Sequence, residues 1–193
     1  MDYSIIMILS MLILSAFFSG MEIAYVSSNK VHIAIEKQQD GFLSKILQKI
    51  TKRPSKFITT MLIGNNIALV IYGFFMGDLL MGYIATYLTI EPNGFLALFI
   101  QTIISTVLIL LTAEFLPKVF FQIYANSFVK FFALPVYFFY ILFSIISEFV
   151  IWITDKILKL VFKTDGDEVQ LSFSKVELGN YISEQMETVK TED

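Results

Sequence analysis

Three polar clusters interrupt stretches of the chain that are otherwise apolar. They are Ser15, Ser19 and Glu22 within SAFFSGMEIAYVSS, Gly64-Asn65-Asn66 within IGNNIA, and Glu114 with Pro117-Lys118 within EFLPK. Ser15 and Ser19 stand four residues apart, so on a helix both hydroxyls share one face. Serine hydroxyls, an asparagine carbonyl and one carboxylate make an all-oxygen donor set. Such a set suits a hard cation such as Mg²⁺ or Na⁺ and not a soft transition metal. The candidate ligands are therefore Ser15, Ser19, Asn65, Asn66 and Glu114. A site with a single carboxylate holds its ion only moderately, and transport needs that, because a carried ion must also leave.

Each cluster also has a structural reading. Serines and small residues in a membrane helix commonly mediate helix packing. Asn65 and Asn66 can hydrogen-bond across helices, and Glu114 can pair with Lys118 one turn on, although Pro117 interrupts the intervening geometry. Glu22 lies nearer the basic loop and reads as structural or interfacial. What favours a site is a coincidence of depth. At 1.5 Å per residue, Ser19 lies about 16 Å before Lys30 and Asn65 about 14 Å beyond Lys56. Glu114 lies about 6 Å or about 24 Å from the inner boundary, according to whether Lys118 or Lys130 marks it. All three can meet in the inner half of a membrane. Gly20, Gly64 and Pro117 can each loosen a regular helix and free backbone carbonyls, which is tolerable at that depth only where the backbone is buried or lines a wet cavity.

The elements that must position these groups are membrane helices. Hydrophobic residues make up 56% of the 193 residues, charged residues 16%, and the mean hydropathy is +0.71, far from an ordinary soluble domain. Uncharged runs from Tyr3 to Met21, Phe57 to Gly77 and Pro92 to Ala113 each approach the ~20 residues that cross the hydrocarbon. The first run has no basic residue before it and no clear cleavage site after it, so it reads as retained and not as a secretory signal. Cysteine is absent and the single histidine, His32, lies in a basic loop. No intramembrane His or Lys stands beside Ser19 to activate it as a nucleophile, so an enzyme is not expected. Nor is a nucleic-acid partner expected.

Basic residues set the expected orientation. Seven Lys/Arg fall between Lys30 and Lys56, and none in residues 1–29 or 57–117. Lys and Arg beside spans stay preferentially in the cytoplasm, which places the N-terminus and the 89–94 loop outside and the C-terminus inside the cell inner (plasma) membrane. Within the Val31–Lys56 loop, apolar residues recur near helical spacing between basic ones, so two short amphipathic helices joined around Asp40-Gly41 are expected at the inner surface, a solvated basic loop being the competing reading. A fourth apolar stretch, Phe131–Ser147, has lysines on both sides, so both its ends belong to the cytoplasm. It reads as a bent, partly embedded helical pair with Pro135 near the bend, a genuine fourth span being the competing reading. From Asp165 onward eight Asp/Glu against two Lys give a net charge of about −6, against about +3 for the rest. This tail reads as a polar helix leading to a cytosolic domain.

The expected fold class is all-α integral membrane, with three transmembrane helices, inner-face amphipathic or re-entrant helices and a polar C-terminal helix. Its transmembrane ion-transport domain would occupy residues 1–163, with spans at about 4–27, 57–88 and 95–122 and inner-face helices at about 31–53 and 128–162. Residues 164–193 would form the acidic cytosolic connector.

With FFSGMEIAYVSS, IGNNIA and EFLPK in this order, one per span, and a basic loop between the first two, residues 4–163 resemble the membrane domain of the CorC/CNNM family, associated with magnesium and cobalt efflux and with haemolysin-related names. The resemblance implies a homodimer in the lipid bilayer with a Mg²⁺ site among three spans of each subunit. Carried onto this sequence, the implied ligands are Ser15, Ser19, Asn65 or Asn66, and Glu114, with backbone carbonyls near Leu111. It also implies cytosolic regulatory domains of the same full-length chain, a nucleotide-sensing CBS pair and a smaller terminal domain. Mg²⁺ is the expected transported ion and Na⁺ a candidate coupling ion. The alternative is a membrane scaffold or sensor, of the kind associated with surface motility, that signals to a cytosolic partner and moves nothing.

Overall fold

A computed structural model describes residues 2–38, 41–87 and 94–161. The acidic connector and its expected helix, Asp40, and the 89–94 loop except Gly94 lie outside the described residues. Among the described residues 94% are helical and none is in a strand. In chain order the elements are α1 (Asp2–Ser27), α2 (Lys30–Gln38), α3 (Phe42–Thr51), α4 (Pro54–Tyr87), α5 (Phe95–Ile109), a π-helical segment (Leu110–Phe115), α6 (Leu116–Ile123), α7 (Ala125–Phe131), α8 (Ala133–Leu142) and α9 (Ser144–Val161). Three continuous helical stretches are long and apolar enough to cross a membrane: Tyr3–Ser27, Pro54–Tyr87 and Phe95–Ile123. A fourth is reached only if the bent pair α7 and α8 counts as one span. The described residues divide into two compact units, one of those up to Val26 with those of Met61–Ala125, the other of those of Ser27–Thr60 with those from Asn126 to Val161.

The first unit holds the three polar clusters. Lipid tails are as apolar as leucine, so close packing and hydrogen bonds must hold its helices together. Ile8 of α1 meets Tyr72 and Met76 of α4, with Leu12, Phe75 and Leu108 packed around them. The α1 span is 33% buried over its apolar window and the third span only 6%, so nearly all of the third span's apolar surface is left for lipid or another chain.

The second unit is built around α3. Its buried residues Ile46, Leu47 and Ile50 form one face, which packs on α8, where Ala133 and Val136 are buried. Lys45 is exposed on the other side, and Lys49 is exposed at the edge of the packed face, its Nζ donating to the Tyr137 hydroxyl of α8 (3.3 Å). The helix is amphipathic because one face has protein to cover it and the other has water. Asn29 caps α2, its side-chain oxygen accepting the backbone N–H groups of Val31 (2.8 Å) and His32 (3.2 Å). The α7–α8 axes meet at 64°, and the bend falls at Phe132 rather than at Pro135. Pro135 lies in the first turn of α8; it has no N–H to return to the Phe131 carbonyl four residues back, so the helix breaks before it.

One ion-pair network in this unit joins residues far apart in sequence. Buried Lys56, at the start of α4, donates to Ser144 Oγ (2.7 Å) and to Glu148 Oε1 (3.0 Å), and Arg53 donates to the same oxygen (2.6 Å). Burial alone would raise the Glu148 carboxyl; the hydrogen bonds from Lys56 and Arg53, with their charges, outweigh it and hold the group below the ordinary carboxylate range. The contribution of such a group is fully present above its unfolded pKa and is lost as pH falls through the lower, folded one. Glu148→Gln is expected to cost about 1–2 kcal/mol at neutral pH, since Lys56 is buried but Glu148 is partly exposed and screened. The gap between wild type and variant should close in acid below the ordinary carboxylate range, and thermal unfolding at several pH values measures it.

Candidate cation site

The first two spans approach closely because glycine removes the obstacle. A Cβ on Gly64 would collide with the outer edge of the Phe18 ring, and one on Gly20 would stand 2.6 Å from Cγ of Phe121. These glycines therefore seat aromatic rings of neighbouring helices. The expectation that Gly20 and Gly64 loosen their helices is corrected here, since α1 and α4 run through them unbroken. Pro117 does what the glycines do not. It has no N–H to return to the carbonyls four and five residues before it, Ala113 and Thr112, and the chain there adopts the wider π turn of Leu110–Phe115.

These features bring most of the candidate residues together. Ser15 and Ser19 are fully buried on one face of α1. Ser15 Oγ donates to Asn65 Oδ1 (2.6 Å), and Asn65 Nδ2 donates to Glu114 Oε1 (3.2 Å), so one hydrogen-bonded chain links all three spans. Lys118 Nζ donates to the other carboxylate oxygen, Glu114 Oε2 (2.7 Å). That pair forms because Pro117 sits in the first turn of α6, where a missing N–H is harmless and the i, i+4 geometry survives. Ser19 Oγ takes a different partner, donating to the Ala113 carbonyl at 2.7 Å. This is the carbonyl to which Pro117 can give nothing. The Leu111 carbonyl accepts the Leu116 N–H within the π segment.

Asn66 is not brought to the cluster. Adjacent helical residues point about 100° apart; Asn65 is buried, while Asn66 is exposed and donates to the Leu62 carbonyl of its own helix (2.9 Å). Glu22 is half-buried, within electrostatic reach of Glu114 and Lys118. Among the described residues no three His, Cys, Asp or Glu side chains come together. A cation here would meet hydroxyl, amide and backbone carbonyl oxygens around one carboxylate, a donor set that fits a small hard ion. An open groove lined by Ser4, Asp78, Tyr83 and Tyr87 lies about 20 Å along α4 from Asn65 and shares no residue with the cluster.

Sequence reasoning missed the Ser19–Ala113 bond, although the signal was present in Pro117 standing four residues after Ala113. It also missed the Lys56–Glu148 network, for which two residues 92 apart carry no local signal. Ser19→Ala would leave the buried Ala113 carbonyl without its proton donor. A loss of about 1–2 kcal/mol in detergent-solubilised thermal stability is expected.

The family described as the cyclin M transmembrane N-terminal domain, CNNM, matches residues 5–193. The chain is also similar to UPF0053 inner membrane protein YfjD of Escherichia coli (strain K12), with 25% identity over 175 residues covering 89% of this chain. The chain spans 38% of the length of that curated relative. Three apolar spans, each contributing a polar group to one hydrogen-bonded cluster, and a family match over nearly the whole chain lead to one conclusion: the chain is a multi-pass membrane domain belonging to the CNNM (CorC) family.

Proposed function

We propose that this domain carries Mg²⁺ out of the cell through a site centred on Ser15, Asn65 and Glu114, with Ser19 and the Ala113 carbonyl beside it. The observation that supports this best is the hydrogen-bonded chain Ser15–Asn65–Glu114, in which a hydroxyl, an amide and a half-buried carboxylate from three separate spans are joined in series. Polar groups at membrane depth are costly unless they serve a pathway or bind one another. On binding, Glu114 would neutralise part of the ion's charge while hydroxyl and amide oxygens replace its water, and rocking of the spans would expose the site to either side. Na⁺ moving inward is the proposed coupling. An outside N-terminus, a cytoplasmic C-terminus, a homodimer and control by cytosolic domains of the full-length chain belong to this reading; the largely uncovered third span supports a lateral partner.

A second reading has its own support. Ser15, Asn65 and Glu114 already satisfy one another and Lys118, so the cluster can equally serve as polar glue in a membrane scaffold or sensor. Protein reconstituted into vesicles loaded with a Mg²⁺ indicator separates the two. A transporter changes the signal when a Mg²⁺ gradient is applied, and a scaffold leaves it at the protein-free rate.

A further inference from the structure

Lys118 supplies no oxygen and cannot ligate a cation, yet it is bonded to the cluster's one carboxylate at 2.7 Å. We propose that Lys118 is a tethered counter-ion, holding Glu114 while the site is empty and giving it up when a divalent cation arrives. The proposal rests on the cation-site reading of Glu114. Each carboxylate oxygen is engaged, Oε1 by the Asn65 amide and Oε2 by the ammonium. Each oxygen keeps a second lone pair, but a cation drawn to Glu114 meets the ammonium beside it, and of the two partners the positive one is the one it repels.

The charges fix the direction of the exchange. Glu114 and Lys118 together are neutral, which removes the cost of a bare carboxylate in the empty protein. A monovalent ion that replaces the ammonium only exchanges one unit charge for another. A divalent ion brings twice the attraction, so the ammonium sets a threshold that favours divalent over monovalent cargo. Lys118 can move aside because its side chain is 42% exposed and ends a flexible four-carbon stem. Glu22, within electrostatic reach on α1, is an acceptor of the right sign. When the cargo leaves, the ammonium returns and the empty site is neutral again. A purely structural i, i+4 pair would link Lys118 to stability and leave cation affinity alone.

The test uses the purified full chain in detergent, titrated with Mg²⁺ and separately with Na⁺ while thermal unfolding is followed, for wild type, Lys118→Met, Lys118→Gln, Lys118→Arg and Glu114→Gln. Lys118→Met and Lys118→Gln should melt lower than wild type without Mg²⁺, yet reach half of their Mg²⁺ stabilisation at about tenfold lower concentration, because the competing cation is gone. Both should also respond to Na⁺ at lower concentration than wild type does, and Lys118→Arg should restore wild-type behaviour. Lower melting with an unchanged or raised Mg²⁺ midpoint in both neutral variants overturns the counter-ion role and leaves the site reading intact. A Mg²⁺ response in Glu114→Gln equal to that of wild type, or none in wild type, overturns the site reading itself.

Discussion

Replacing Glu114 by Gln or Ala should abolish Mg²⁺ flux into indicator-loaded vesicles and remove the Mg²⁺-dependent rise in melting temperature. Among the described residues Glu114 is the only carboxylate bonded into the cluster, with its side chain 25% exposed and its two oxygens shared between Asn65 and Lys118. Opposite unit charges about 4 Å apart interact by about 4 kcal/mol at the effective dielectric of a partly buried site, and a divalent ion doubles that. Losing even a third of that attraction weakens binding by about 100-fold. The two variants separate chemistry from folding. Glu114→Ala also strips the Asn65 amide of its acceptor and leaves Lys118 without a partner, so it loses stability as well as binding. Glu114→Gln keeps the shape and an acceptor for Asn65 but turns an amide NH₂ toward Lys118, so the empty protein should melt below wild type and above Glu114→Ala, while Mg²⁺ no longer shifts it. Undiminished Mg²⁺ flux in Glu114→Gln would rule out the carboxylate as the ion's counter-charge.

Gly20→Ala should be the most damaging single-methyl change in the first unit. The added carbon would stand 2.6 Å from Cγ of Phe121, the root of the ring, which cannot move without carrying the whole side chain with it. Overpacking of this kind costs about 1–3 kcal/mol. Its effect should spread beyond stability, because Ser19 is the next residue and its bond to the Ala113 carbonyl depends on α1 approaching the third span this closely. Gly64→Ala should act in the same way through Phe18, whose ring is 1% exposed and has little room to swing. Thermal unfolding checks both, and a double variant identifies the cause. Gly20→Ala combined with Phe121→Ala should be less destabilised than the two single changes added together, because removing the ring removes the clash. A Gly20→Ala protein as stable as wild type would mean that the ring and the glycine do not meet.

The three spans were legible in the sequence because lipid makes polar residues conspicuous: a run of apolar side chains about as long as the hydrocarbon is thick has few other uses. For the same reason Ser19, Asn65 and Glu114 stood out, and counting residues from the basic loop allowed them a common depth. The π segment was half legible. Pro117 announces that carbonyls four and five residues earlier go unpaired, but the neighbourhood of Leu111 was expected, and Ala113 is the carbonyl that reaches across to Ser19. Residue type alone said that Gly20 and Gly64 were special; it pointed to loosened helices, and the structure shows rings seated against intact ones.

The sequence by itself determined which residues lie at membrane depth and which chemistry their oxygens allow. Only the tertiary structure decided which way each helix is turned: that Asn65 faces the cluster and Asn66 does not, that Glu114 meets both Asn65 and Lys118, that Glu148 closes on Lys56. In water an apolar stripe reveals the inward face of a helix, but a helix in lipid is apolar all round, and the period that would betray its rotation is hidden. Here that rotation follows from rings seated on glycines and from hydrogen bonds between spans, contacts that exist only once the helices have met.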